Sequence, residues 1–583
     1  MSESKDTVMS ESKEHMALAK KKKEELRAQY GENKKITGDN YDKTLAVKCI
    51  NGTFVGKKTD GVIAYKGIPF VGKQPVGELR WKAPVDYVAD DGIYEAYFNG
   101  KAPCQSESYS ESASLYVQGE DCLYLNIWKA VEAPAGKKTV MVWIHGGAYE
   151  MGGTVDPMYE GSNFVKENPD VILASIEYRI GVFGFLHLSH LADGADYPDA
   201  QNLGTMDQMA ALKWIHENIS GFGGDPDNVT IFGESAGAGS VTLLPLIKGS
   251  HKYFRRVIAE SGAPSFSRTT EQAIKCTNDI MEVLGCKTVA DLRSVDVEKL
   301  VEASKVASLC VAPERDGIYI PVEAYEAYTN GAAKDIDFLH GCNKDEMNYF
   351  LYCVGEVEPY MAWAEDRKAK KMAQLTDDEK ELVESFCNNI TGEIYDPVTD
   401  LLDQIWFNAP HIRLSENQTK AGGKSYTYYF TVESSLPLLK CGHAVELSVV
   451  FNNSEDTIFT GRAFDENFCK TLRKMWVQFA KTGNPSLSAD ISPDGKAKIW
   501  PLYDTENKQV MVFDEFQHSP RKRIRAQNRR LEQDLLPNKI LLHLTGNERR
   551  TKQLWISTKR KKKCARSTVR TKKLPATTIN LWQ

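Results

Sequence analysis

The stretch NVTIFGESAGAGSV, residues 228–241, sets the reading of the whole chain. NVTIF (228–232) is a short run rich in β-branched and aromatic residues, the composition of a buried strand. From Ala236 onward, AGAGSVTLLPLI can continue as a helix. Between them lie Gly233, Glu234, Ser235, Ala236 and Gly237. A strand, a G-x-S-x-G turn and a helix in that order make a sharp elbow that lifts the serine out beyond the strand end. The glycines leave room where strand and helix come close. Ser235 is therefore a candidate nucleophile. A serine hydroxyl is almost fully protonated at neutral pH, so this reading requires a base, a group to orient the base, and donors for an oxyanion.

Working outward, the flanking segments repeat the same alternation. KTVMVWIHGG (138–147) reads as a buried strand running into a tight loop, and DVILASIEYR (170–179) as a second buried strand. MDQMAALKWIHENI (206–219) places Met206, Met209, Ala210, Leu212 and Ile215 on one helical face, and GFGGDPDN (221–228) is turn chemistry. Strands alternating with helices predict an α/β fold with a mostly parallel sheet, whose sites lie beyond the C-terminal strand ends. The loop HGGAYEMG (145–152) follows one such end. Backbone amides of Gly147 and Ala148, with that of Ala236 after the serine, are the candidate oxyanion hole. His145 itself reads as structural.

Composition is that of a globular chain: 583 residues, 42% hydrophobic and 26% charged. No run approaches the roughly 18–20 consecutive apolar residues of a membrane span. The N-terminal region repeats MSESK at 1–5 and 9–13 and has no apolar h-region, so it reads as a charged extension of a cytoplasmic protein. Twelve cysteines without C-x-x-C spacing point away from a metal site and towards reduced thiols. The net charge of −6 hides an asymmetry: residues 521–583 hold 19 Lys+Arg against 3 Asp+Glu, leaving 54 basic and 76 acidic residues before them. This basic tail reads as a disordered appendage, an arm for nucleic acid or anionic lipid, or a segment foreign to the fold.

Longer blocks carry a resemblance. EDCLYLNIW (120–128), WIHGGAYEMG (143–152), YRIGVFGF (178–185), NLGTMDQMAALKWIHENISGFGGDPDNVTIFGESAG (202–237) and AESGA (259–263) resemble the type-B carboxylesterase/cholinesterase family. GVIAYKGIPF (61–70) and ELRWKAP (78–84) match its N-terminal part, and MWVQFAKTGNPS (475–486) and WPLYD (500–504) its C-terminal part. The resemblance implies an α/β-hydrolase fold: a central, mostly parallel sheet flanked by helices, with helical cap insertions. It implies a hydrolase domain over 42–516, between an extension over 1–41 and the basic tail over 517–583. It also implies a serine carboxylesterase that cleaves small-molecule esters through an acyl-enzyme, with no metal or organic cofactor and no nucleic-acid partner for the catalytic domain.

The family's triad order is Ser, Glu, His. Glu346 in GCNKDEMNYF (341–350) matches its acid and His443 in CGHAVELSVVF (441–451) its base, with Glu446 and Val450-Phe451 at the following family positions. His340 and His411 are rival bases without the surrounding motif, and Asp345 is a rival acid beside Glu346. Glu234 reads as a supporting carboxylate. Cys104 and Cys122 match the ends of a family disulfide loop, which, if oxidised, spans 18 positions and contributes about 3 kcal/mol. Between them stand Tyr109 and Tyr116 but no tryptophan, which argues for a general carboxylesterase over a choline esterase. The stretch 354–400 reads as helical and as a cap over the site mouth. The alternatives are a non-catalytic adhesion protein of this fold and a lipase or amidase.

Overall fold

The computed structural model describes residues 28, 30–106, 116–305, 311–453 and 459–514. The basic tail, Tyr109 and most of the N-terminal extension lie outside these residues. Thirteen strands run through the described residues: β1 Ala46–Cys49, β2 Gly52–Val55, β3 Lys57–Thr59, β4 Val62–Pro69, β5 Ile93–Glu95, β6 Tyr124–Ala130, β7 Lys138–Ile144, β8 Val171–Ile176, β9 Gly224–Glu234, β10 Arg256–Glu260, β11 Asp337–Asn343, β12 Ser425–Phe430 and β13 Met511–Phe513. Ten of them form one sheet in the order β13-β12-β11-β10-β9-β7-β8-β6-β4-β3, and β1, β2 and β5 form a small separate sheet. Pairing is parallel from β13 through β8 and antiparallel from β8 through β3.

The central strands are apolar on both faces because both faces are covered. In β7, Val140, Val142 and Ile144 face one core while Met141 and Trp143 face the other. The same alternation splits β8, with Ile172, Ala174 and Ile176 on one side and Val171 and Leu173 on the other. The second core is sealed by the helix Glu466–Thr482, which buries Phe468, Leu472, Met475, Trp476 and Phe479. Asp465 caps its N-terminus, and Gly483, at φ +77°, ends it in a left-handed turn.

Two local differences from the sequence reading have physical causes. The helix over 206–219 runs from Leu203 to Asn218, and its buried face matches the predicted one only in part. Leu212 and Ile215 are buried, but Met206, Met209 and Ala210 are half-buried, while Asp207 and Gln208 are fully enclosed. Pairing makes that burial tolerable. Asp207 takes Arg179 through two 2.7 Å contacts, and Gln208 donates to Ser240 Oγ at 2.9 Å. Next, the turn residues 225–228 fall inside the span of β9. The register against β7 jumps from Lys138–Gly224 to Val140–Val229, so they bulge out of the ladder. Residues ahead of 42 also make contacts with the rest of the chain. Lys35 bridges to Tyr94, and the Asn33 amide bonds Lys66 O and Phe98 O, both at 2.9 Å.

Candidate active site

Ser235 stands between β9 and the helix Ala236–Leu243, with φ +56° and ψ −120°. A non-glycine residue there is strained and must be held. The Ser235 amide donates to Glu260 O at 2.8 Å, and Ser235 O accepts from Gly239 N at 2.9 Å. The flanking glycines are required sterically. A Cβ on Gly233 would lie 2.6 Å from Ile144 O, and one on Gly237 would run into the same carbonyl.

The candidate oxyanion loop is also strained. Gly147, Ala148 and Tyr149 all have positive φ, at +104°, +55° and +60°. The loop is held by Glu150 N and Met151 N, both 2.9 Å from Gly147 O, and by Gly181 N, 2.6 Å from Tyr149 O. No chain acceptor is described for the amides of Gly147, Ala148 or Ala236, and Ala236, as the first helical residue, has no intrahelical partner. His145 is fully buried, stacks on Tyr178 at 4.5 Å and lies 3.3 Å from Glu177 Oε2, a packing role.

Folding brings His443 and Glu346 together from 97 positions apart. His443 Nδ1 is 2.6 Å from Glu346 Oε2, and His443 N donates to Glu346 O at 3.2 Å. Glu346 is fully enclosed and accepts from Asn343 N at 2.6 Å. The rivals fall elsewhere. Asp345 sits in the turn after β11 and faces Cys441 N and Lys344. His340 and His411 pair with each other, Nδ1 to Nδ1 at 2.9 Å, deep in the protein. Burial pushes His340 down to about 3 and holds His411 well below the usual range.

The residue that sequence reasoning undervalued is Glu234. Its Oε1 lies 2.9 Å from His443 Nε2, so the imidazole sits between two carboxylates. Among the described residues no hydrogen bond joins Ser235 Oγ to His443. Burial alone would depress His443, but Glu234 and Glu346 outweigh it and hold the imidazole well above its ordinary range. Burial raises Glu234 itself, and it pushes Glu446, which accepts from Asn343 Nδ2 at 2.5 Å, up to about 8. Glu260, bonded by the Trp476 indole, is raised well above the carboxylate range by burial. Buried carboxylates thus surround the elbow, and burial raises Glu234, Glu260 and Glu446 among them.

The segment over 354–400 is helical, with helices Val357–Met372, Asp377–Asn389 and Asp396–Asp403. Its Trp363 joins a cluster of rings beside His443. Phe407 lies 5.1 Å and Phe350 6.0 Å from the His443 ring, and Trp363 stacks on Phe350 at 6.0 Å and meets Trp406 at 5.9 Å. No motif marks this wall. The one signal in the sequence is the aromatic density of MNYF, YMAW and IWF.

These observations coincide with a known family. The Carboxylesterase family profile matches residues 43–532. The chain belongs to the carboxylesterase family. Para-nitrobenzyl esterase of Bacillus subtilis is 34% identical over 79% of this chain and 93% of its own. Liver carboxylesterase of Sus scrofa is 29% identical over 77% of this chain and 85% of its own. A carboxylesterase crystal structure from Geobacillus stearothermophilus superposes with a TM-score of 0.70 at 33% identity, covering 83% of this chain and 99% of that one. This carboxylesterase is an α/β-hydrolase and a carboxylic ester hydrolase of small-molecule esters. Among the described residues, no helix is long and apolar enough to cross a membrane.

The remaining candidates take other places. Cys104 and Cys122 are free thiols here rather than a disulfide. Burial pushes Cys104 up to about 12 and Cys122 well above its usual range, so neither is a ready thiolate. They line a cleft with Arg80, Trp81 and Phe183. Tyr116 is buried and donates to Asp156 Oδ2 at 2.8 Å, so it braces the loop instead of lining an open gorge.

Proposed function

We propose that this carboxylesterase works through Ser235, His443 and Glu346, with an acyl-enzyme on Ser235. The observation that carries the reading is the orientation of His443. Its Nδ1 is fixed on Glu346, so the proton sits there, and its Nε2 faces the side chain of residue 234, next in the chain to Ser235. In the resting arrangement Nε2 donates to Glu234; once that proton is lost to water, the neutral imidazole takes the Ser235 Oγ proton as Oγ attacks the ester carbonyl. Catalytic hydrogen bonds often tighten only in the substrate complex. Amides of Gly147, Ala148 and Ala236 receive the oxyanion, a role that the positive φ of Gly147 and Ala148 supports. His443 then protonates the leaving alcohol and activates the water that clears the acyl group.

The aromatic wall of Phe350, Trp363, Trp406 and Phe407 supports uncharged esters with bulky apolar or aromatic groups as preferred substrates. The test is hydrolysis of p-nitrophenyl acetate and butyrate by wild type and Ser235→Ala side by side. The expected result is a burst of nitrophenol from wild type and none from the variant, with the fold unchanged by circular dichroism. A variant keeping more than a few per cent of wild-type turnover would overturn the assignment.

A further inference from the structure

A second serine–histidine–glutamate line lies outside the residues of the candidate active site, in the turn after the short helix Gly181–Gly184. Ser189 Oγ is 3.2 Å from His187 Nε2, and His187 Nδ1 is 2.7 Å from Glu314 Oε2. Glu314 is fully enclosed and held from several sides. Its Oε1 accepts from Thr270 Oγ1 at 2.6 Å, its amide donates to Asn202 Oδ1 at 2.9 Å, and its carbonyl accepts from Asn202 Nδ2 at 3.0 Å. His187 is anchored through its own amide, which donates to Thr277 Oγ1 at 3.0 Å.

The chemistry follows from these contacts. A carboxylate facing Nδ1 draws the imidazole proton to that nitrogen, which leaves a lone pair on Nε2. That lone pair faces the hydroxyl of Ser189, which is exposed to solvent. The orienting acid is thus buried, the base half-buried, and the nucleophile exposed. We propose that Ser189 is a second acylatable nucleophile, with His187 as its base, and that it reacts with small activated esters arriving from solvent. Oγ attacks the carbonyl carbon of a p-nitrophenyl ester. The Oγ–C bond forms, the bond to nitrophenolate breaks, and the Oγ proton passes to His187 Nε2 and then to water. Ser189 stands in an open turn, not at a strand–helix elbow, so the oxyanion faces water. The acyl group on Ser189 therefore accumulates instead of turning over.

The test is timed exposure of the whole wild-type protein to p-nitrophenyl acetate, followed by digestion and peptide mass spectrometry. Acetyl-Ser189 and acetyl-Ser235 fall in different peptides, so this inference stands or fails separately from the role proposed for Ser235. Ser189 is expected to acetylate at least about tenfold faster than the exposed Ser294, as general-base assistance requires. His187→Gln should remove that advantage while hydrolysis elsewhere on the enzyme and its circular dichroism stay unchanged. A Ser189 that acetylates no faster than Ser294 in wild type would overturn the proposal without recourse to any variant. So would Ser189 labelling that is indifferent to His187→Gln.

Discussion

Replacing Glu234 by glutamine removes one of the two charges that clasp His443 and keeps the side-chain shape. With Glu234 Oε1 at 2.9 Å from Nε2, one unit charge is worth about 1.4 kcal/mol in water's dielectric and about 6 kcal/mol at an effective constant near 20. At about 1.36 kcal/mol per pH unit, the bracket is roughly one to four units. The carboxylate raises His443, so its removal lowers the imidazole, and the base becomes neutral at lower pH. The acidic limb of the kcat/KM profile should therefore move down by at least about one unit. Glu346 and burial are unchanged in the variant, so they set the same baseline for both proteins. The assay is hydrolysis of p-nitrophenyl butyrate across pH, read at the isosbestic wavelength so that ionisation of nitrophenol does not intrude. A limb that stays within about 0.3 unit would refute the reasoning: Glu234 would then already be neutral in the free enzyme. A limb that rises would mean that the contact favours the neutral imidazole.

Three further outcomes follow from the packing. Gly237→Ala puts a Cβ into the Ile144 carbonyl, where backbone cannot yield, and should cost about 1–3 kcal/mol or more in urea unfolding. Asp207→Leu leaves Arg179 buried without its counter-ion and should cost about 3–5 kcal/mol by the same measurement. Trp363→Ala opens the aromatic wall without touching the elbow; it should raise KM for benzoate esters by up to about tenfold while acetate esters stay within about twofold, as steady-state kinetics would show.

Local sequence determined the elbow. A β-branched run, glycines on both sides of Ser235 and a small-residue helix start suffice, because close approach of β9, β7 and the following helix excludes any Cβ at 233 and 237. The apolar runs at 138–144 and 171–176 likewise announced strands buried on two faces. The pairing of Glu346 with His443 was reachable only through family resemblance, since nothing in a 97-residue separation encodes a 2.6 Å contact.

Tertiary structure decided the rest. It set Glu234 2.9 Å from Nε2, and it gathered Glu260 and Glu446 behind the elbow in a setting that raises both acids. It turned an apparently amphipathic helix so that Asp207 and Gln208 face inward, because Arg179 and Ser240 wait there to pair with them. It also joined Ser189, His187 and Glu314 across 127 positions. Periodicity and motif report what a residue's immediate neighbours demand. Which buried charges meet, and which nitrogen of a histidine stays free, depends on how distant segments pack, and that is set by the fold as a whole.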